Sequence, residues 1–271
     1  MFRAALVAWL VSGLTAVGVA SVRPDVQAIV ERSTAAMRAD WRAEPDYSYF
    51  ERDRDSRGTR TYQVTMIAGS PYYRLVAVNG RPLGPAARQR QQQRLQATVA
   101  RRRTESPSER AERIRRYRRS RARDHLMTEQ MTRAFNFSLA GERKMDGHEV
   151  YVLQATPRPG YVPPNLEARA LTGMQGTLWI DTRTFQWVKV TAEVTRPVSI
   201  EGFLARVEPG TFFTLENRPV GPHVWLPTRF LMRSKSLILF FFTHRTQEHD
   251  TFYGYRRIEP PGDQAGHGAG R

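Results

Sequence analysis

Three features of the 271-residue chain predict a mainly β, α+β protein built on antiparallel strands. Apolar residues alternate with polar ones from 46 to 83 and again from 135 to 258, the period of a half-buried strand. Hairpin dipeptides such as Asn79-Gly80, Asp146-Gly147 and Pro209-Gly210 punctuate those runs at regular spacing. Helical spacing is confined to residues 24–41 and 84–134. Apolar residues make up 40% of the chain and aromatics 10%, enough to bury a core, which excludes disorder of the whole.

The first element predicted is an export signal over 1–20. Arg3 gives a short positive start, residues 4–20 carry no charge, and Gly18-Val19-Ala20 offers small residues at a cleavage site before Ser21. The periplasm is then the expected compartment; an uncleaved inner-membrane anchor is the alternative, the run being at the lower edge of what spans a bilayer. A single domain is expected over 21–258, with 84–134 as an Arg-rich helical insertion and 259–271 as a disordered tail.

Residues 24–41 predict a helix that opens on Pro24 and Asp25, with Val26, Ile29, Val30, Ser33, Met37 and Trp41 on one stripe. Three strands follow, in which Tyr47, Tyr49 and Glu51, then Tyr62, Val64 and Met66, then Tyr73, Leu75 and Ala77 share faces; Arg57-Gly58, Ser70-Pro71 and Asn79-Gly80 are the expected turns. Two helices are predicted over 86–103 and 107–133, the second started by Ser106-Pro107-Ser108-Glu109, with Pro at its first position and a capping-box glutamate. Their apolar positions are sparse. Only Met127, Met131 and Phe135 at i, i+4 and i+8 look like a docking face.

From 135 onward strands are predicted at 135–140, 150–156, 174–180, 185–194, 203–207, 212–217, 224–232, 237–243 and 251–256. Val188, Val190, Ala192 and Val194 share one face, with Phe185, Trp187, Lys189 and Thr191 on the other. Val224, Leu226, Phe230 and Met232 likewise stand opposite Trp225, Arg229 and Arg233. The run 237–242 (LILFFF) is apolar on both faces and demands cover on both sides, by a curled or closed sheet, a partner molecule or a ligand.

Composition removes several kinds of chemistry. With no cysteine there is no disulfide scaffold, thiolate nucleophile or Cys-based metal site. His244 and His249 are five apart, on opposite faces of a strand, and no G-x-S-x-G elbow, phosphate loop or G-x-G-x-x-G is present. No catalytic residue, metal or cofactor is expected; the chain reads as a non-enzyme. Its net charge is +16, and residues 88–123 hold 14 arginines against three glutamates. That segment is a solvated basic face, or a contact for anionic lipid headgroups through Arg101, Arg102, Arg103, Arg115, Arg116, Arg118 and Arg119. Nucleic acid is not the expected partner, because the export signal separates the two and aromatic interleaving is limited to Tyr117.

The order helix, strand hairpins, helical segment, long antiparallel run, with GTLWIDTRTFQWVKV at 176–190, FFTLENRPVGPHVWLPTRF at 212–230 and YGYRRI at 253–258, resembles the periplasmic lipoprotein-carrier family. That group includes the LolA and LolB carrier and receptor proteins, the sigma-factor regulator RseB, and outer-membrane lipoprotein-sorting-type proteins. The resemblance implies an open half-barrel of about 10–11 antiparallel strands, with helices over its inner face enclosing an apolar cavity for acyl chains. It also places the carrier's lid arginine at Ser70, before Pro71, where this chain has no charge. The residues expected to face inward and bind a lipid or lipoprotein acyl chain are Tyr73, Leu75, Val188, Val190, Phe213, Leu226, Phe230, Leu239 and Phe241. The alternative is an envelope regulatory or structural protein that holds a peptide or protein partner in the same groove.

Overall fold

The computed structural model describes residues 24–199, 205–238 and 242–258. The expected signal at 1–20, the tail at 259–271, and Leu239 and Phe241 lie outside the described residues.

The chain opens with helix α1 (Val26–Ala43), capped by the Asp25 carboxylate, which accepts from the Gln27 N–H at 2.9 Å. A short 3-10 turn, Glu44–Asp46, leads into strands β1 (Tyr47–Asp55), β2 (Gly58–Ile67), β3 (Ser70–Val78) and the two-residue β4 (Arg81–Pro82). Helices α2 (Pro85–Thr104) and α3 (Pro107–Ala134) follow. The capping box forms as the sequence predicts: the Glu109 N–H donates to Ser106 Oγ, and Glu109 Oε2 accepts from the Ser106 N–H at 2.9 Å. The rest is β5 (Phe135–Met145), β6 (His148–Pro157), the single turn α4 (Leu166–Arg169), β7 (Met174–Asp181), β8 (Trp187–Val194), β9 (Val198–Ser199), β10 (Ala205–Val207), β11 (Phe212–Gly221), β12 (Val224–Ile238) and β13 (Phe242–Arg257).

Among the described residues, thirteen strands join one antiparallel sheet in the order β4-β3-β2-β1-β13-β12-β11-β8-β7-β6-β5, with β10 pairing the far end of β12 and β9 pairing β10. The sheet is open, as predicted, since β4 and β5 end the order without pairing each other. The last strand pairs with the first, Tyr47 opposite Arg257, so both ends of the sheet-forming chain lie mid-sheet. The helical segment read as an insertion is therefore the crossover from one sheet edge to the other. At about 1.5 Å per residue, the 28-residue α3 is long enough to traverse most of eleven strands spaced about 4.8 Å apart.

The main core lies between the helices and one face of β5 to β8. Ile29 and Val30 of α1 and Met131 and Ala134 of α3 pack on Leu153, Leu178, Ile180, Trp187, Val190, Ala192 and Val194. Met131 and Phe135 dock as predicted, 7% and 2% exposed. The Leu-Trp-Ile-Asp segment ends in a turn organised by Asp181, whose Oδ1 accepts from Arg183 N, Thr184 N and Thr184 Oγ1, while Oδ2 lies 3.0 Å from His148 Nδ1.

Several expectations give way. Phe185 is not on a strand; it takes a left-handed conformation (φ 61°) in the turn, and its ring, buried in the core, lies under the Arg32 guanidinium. A bulge between Trp179 and Ile180 of β7 and their partners makes Val188 the extra residue. Val188 therefore packs with Val150, Val152 and Trp225 in a second core, while Val190, Ala192 and Val194 join the first. The turn expected at Ser70-Pro71 sits at Ala68-Gly69, both at positive φ, and Ser70 already begins β3. Of the strand predicted at 237–243, the described residues divide between two longer elements, 237–238 in β12 and 242–243 in β13. Nothing in Ser234-Lys235-Ser236 breaks a strand, so β12 continues to Ile238, which pairs with Phe242 of β13. Of the apolar run, Leu237 and Ile238 end β12 and Phe242 begins β13. The expected 203–207 strand is shorter, described as Ala205–Val207.

Candidate ligand cavity

Where α1 ends and α3 crosses the sheet, a cavity of about 490 Å³ opens, within the range of small-ligand pockets. Its floor is the sheet: Tyr47 and Tyr49 from β1, Val64 and Met66 from β2, Tyr73 from β3, Leu215 from β11, and Trp225, Leu226 and Pro227 from β12. Met37, Asp40 and Trp41 of α1 form one wall, and Tyr117, Ser120, Arg121 and His125 of α3 form the roof. Alternation aims these floor residues: Tyr49 pairs with Val64, and Val64 with Tyr73, so all three share the helix-covered face. Pairing also carries that face across β8, β11 and β12, where Val190 stands opposite Leu215 and Leu215 opposite Phe230.

Aromatic rings dominate the lining. Tyr49 and Tyr255 lie 5.2 Å apart, Tyr47 meets Tyr255 edge-on at 6.4 Å, and the Tyr255 hydroxyl donates to the Pro227 carbonyl at 2.6 Å. On the helix side Trp41 stacks on His125 with centroids 4.4 Å apart, and the Arg121 guanidinium sits 4.4 Å from the Trp41 centroid. Arg121 also donates to the Trp41 carbonyl and to Glu44 Oε2, joining α3 to the end of α1. Burial holds His125 below the ordinary imidazole value, raises Tyr49, and pushes Tyr73 up to about 12.

Asp40 is the unexpected member. Only 8% exposed, its Oδ1 accepts from the Trp225 N–H at 2.9 Å and from Gln186 Nε2 at 3.3 Å. These bonds tie α1 to β12 and to the turn before β8. Burial, the largest cause, lifts its carboxyl to about 6 against those hydrogen bonds. Beyond the cavity the same face carries Glu51, Asp53 and Asp250 among aromatic rings. Desolvation raises all three, Glu51 to about 8 and Asp250 to about 6.

The predicted residues divide. Tyr73 and Leu226 line the cavity, Tyr73 half exposed at its edge. Phe230 shares their face through its pairing with Leu215, and Phe213 packs against the main core. Leu75 lies beside α2, near Arg88 and Gln92, and Val190 is core. Val188 is on the other face of the sheet, for the bulge described above. Of the predicted anionic-surface contacts, Arg101, Arg103, Arg115, Arg116, Arg118 and Arg119 are exposed. Arg102 is not available for that role: it is half-buried, donating to the Ile67 and Ser70 carbonyls at 2.8 Å and to Pro71 at 3.2 Å. Arg113 joins it, donating to Ser70 Oγ at 2.7 Å and to the Ala68 carbonyl at 3.1 Å, and pairing with Glu105 at 2.6 Å. Two arginines of the helices thus converge on the β2–β3 hairpin around Ser70. Among the described residues no helix is long and apolar enough to cross a membrane, and no three His, Asp or Glu side chains could hold a metal ion.

No protein-family profile matches the chain, and no curated protein matches it. Among solved structures it is similar to a putative outer membrane lipoprotein-sorting protein domain from Vibrio parahaemolyticus, at 10% identity and a TM-score of 0.34 over 86% of this chain and 93% of that one. It is similar also to the LolA superfamily protein NE2245 from Nitrosomonas europaea, at 13% identity and 0.30 over 87% and 94%. MucB of the Pseudomonas aeruginosa MucA/MucB complex matches at 11% identity and 0.24 over 84% and 99%.

Proposed function

We propose that the chain is a non-enzymatic binding protein, exported to the periplasm, that holds the apolar chain of a lipid or lipoprotein in the cavity between α1, α3 and the sheet. The observation that carries this reading is the cavity itself: about 490 Å³, walled mainly by aromatic and aliphatic side chains, at the centre of an open sheet. Each buried methylene contributes roughly 0.8 kcal/mol, so a 16-carbon chain gains on the order of 10 kcal/mol before ordering costs. Affinity then needs no sequence motif. The exposed arginines of α2 and α3 supply a way to approach an anionic membrane.

The test is the protein purified without detergent, its native mass compared with its denatured mass and its organic extract analysed for lipid. A stoichiometric lipid adduct, lost in Tyr73→Ala and Tyr49→Ala, is the expected result. A bare mass after incubation with phospholipid and acylated peptide refutes the reading.

A further inference from the structure

The cavity is apolar, yet its lining includes four side chains able to carry charge: Asp40, Glu44, Arg121 and His125. Three of them are accounted for within the protein. Glu44 and Arg121 form an ion pair at 3.2 Å, and Arg121 further spends its guanidinium on the Trp41 carbonyl and ring. His125 is stacked on Trp41 and held toward its neutral form by burial and by Arg38, Arg121 and Arg42, against Glu129 alone on the other side. Asp40 is different. Both of its hydrogen bonds, from Trp225 N–H and Gln186 Nε2, fall on Oδ1. Among the described residues no hydrogen bond reaches Oδ2 and no cation pairs with the carboxylate; the side chain is only 8% exposed, yet Oδ2 is not one of the fully buried unpartnered oxygens, so it keeps an opening at the cavity that Asp40 lines. A largely buried carboxylate at the wall of an apolar cavity is costly, and a ligand cation or donor at its open oxygen relieves that cost.

We infer that the cavity takes an amphiphile whose polar end is a protonated amine, seated against Oδ2 of Asp40 with its apolar chain along the aromatic floor. The inference deepens the proposed function and rests on it: the same cavity binds the chain, and Asp40 chooses the head. An anionic head, such as a fatty-acid carboxylate, is repelled from this floor. A neutral alcohol gains only an ordinary hydrogen bond. Charge-assisted bonds are about twice as strong as neutral ones, so the ammonium is favoured on the order of ten- to a hundredfold.

Trp41, Trp187 and Trp225 line the cavity and give an intrinsic fluorescence signal. The delipidated full chain is titrated at pH 7.5 with decylamine, decanol and decanoate, each below its micelle concentration. The expected order of affinity is decylamine over decanol over decanoate. In Asp40→Asn the side-chain oxygen still accepts from Trp225 and Gln186, so the fold is kept while the charge is removed; the decylamine preference should drop at least tenfold. Equal binding of the three probes, a preference for decanoate, or an unchanged preference in Asp40→Asn overturns the head-group inference and leaves the cavity reading standing. Binding of none of them overturns both.

Discussion

Asp40 is weakly compensated by its surroundings, and burial raises its carboxyl above the ordinary aspartate value despite two hydrogen bonds. An unfolded aspartate loses its proton near 3.8, whereas the folded chain holds it to about 6. Below the first value both states are protonated; above the second both are ionised, and the folded state bears up to about 3 kcal/mol of burial cost. Stability due to this group is therefore lost as pH rises from 4 to 6. Asp40→Asn should melt at a higher temperature than the parent at pH 8 and at nearly the same temperature at pH 4, in thermal unfolding followed by circular dichroism. Equal melting temperatures at pH 8 would contradict the assignment. Glu51 behaves alike one window higher, since burial and the neighbouring Asp53 raise it to about 8 from an ordinary 4.5. Glu51→Gln should gain stability at pH 9 and little at pH 4. None of this was legible in the sequence. Asp40 reads as one more polar residue on an amphipathic helix, and its partners Gln186 and Trp225 stand 146 and 185 positions away.

Among the elements, α3 is the one on which cavity and sheet both depend. Its middle roofs the cavity, its C-terminal end enters the main core through Met131 and Ala134, and its N-terminal half is held to the β2–β3 hairpin by Arg113 and, from α2, by Arg102. Gly69 turns that hairpin at φ 88°, and a Cβ there would lie 3.0 Å from the Ile114 side chain, so the helix closes tightly over the turn. Replacing Arg102 and Arg113 together by Met removes the donors to four carbonyls and to Ser70 Oγ and leaves Glu105 without its partner, at about 1–3 kcal/mol for each arginine. Amide exchange should quicken across α2 and the first half of α3 while β6 to β8 keep their protection. Uniform loss of protection would mean that the helices and the sheet unfold as one unit instead. The local signals for these elements were readable because they act within a few residues: Asn79-Gly80 and Asp146-Gly147 reverse the chain at positive φ, and Ser106 with Glu109 starts α3. What decided side-chain direction was not local. The bulges at Val188 and Thr228 shift the period of two, and each is visible only in the register with the facing strand.

Over the whole molecule, charge is sorted by surface. On β1 the alternation of Glu51, Asp53 and Asp55 with Arg52 and Arg54 sends carboxylates and arginines to opposite faces of the sheet. Residues 88–123 add a net eleven of the +16, most of it on exposed positions of α2 and α3. Glu112 answers Arg115 and Arg119 only at the surface, where ion pairs contribute little, so this face keeps a strong positive potential. α3, whose middle roofs the cavity, thus shares with α2 the most basic surface described, and under the proposed function a membrane that attracts this surface would bring the cavity close to its lipids. Each charge close to an anionic bilayer is worth about 1 kcal/mol. Changing Arg115, Arg116, Arg118 and Arg119 together to Gln should therefore cut partitioning onto vesicles containing phosphatidylglycerol by on the order of a thousandfold, with no effect on zwitterionic vesicles. The same loss should appear in the parent protein at high salt, because exposed charges are screened. Decylamine binding in solution should be unaltered by the four substitutions, since none of these residues lines the cavity. Flotation that is insensitive to both the substitutions and the salt would mean that the arginines serve solubility alone and that the chain reaches its ligand by another surface.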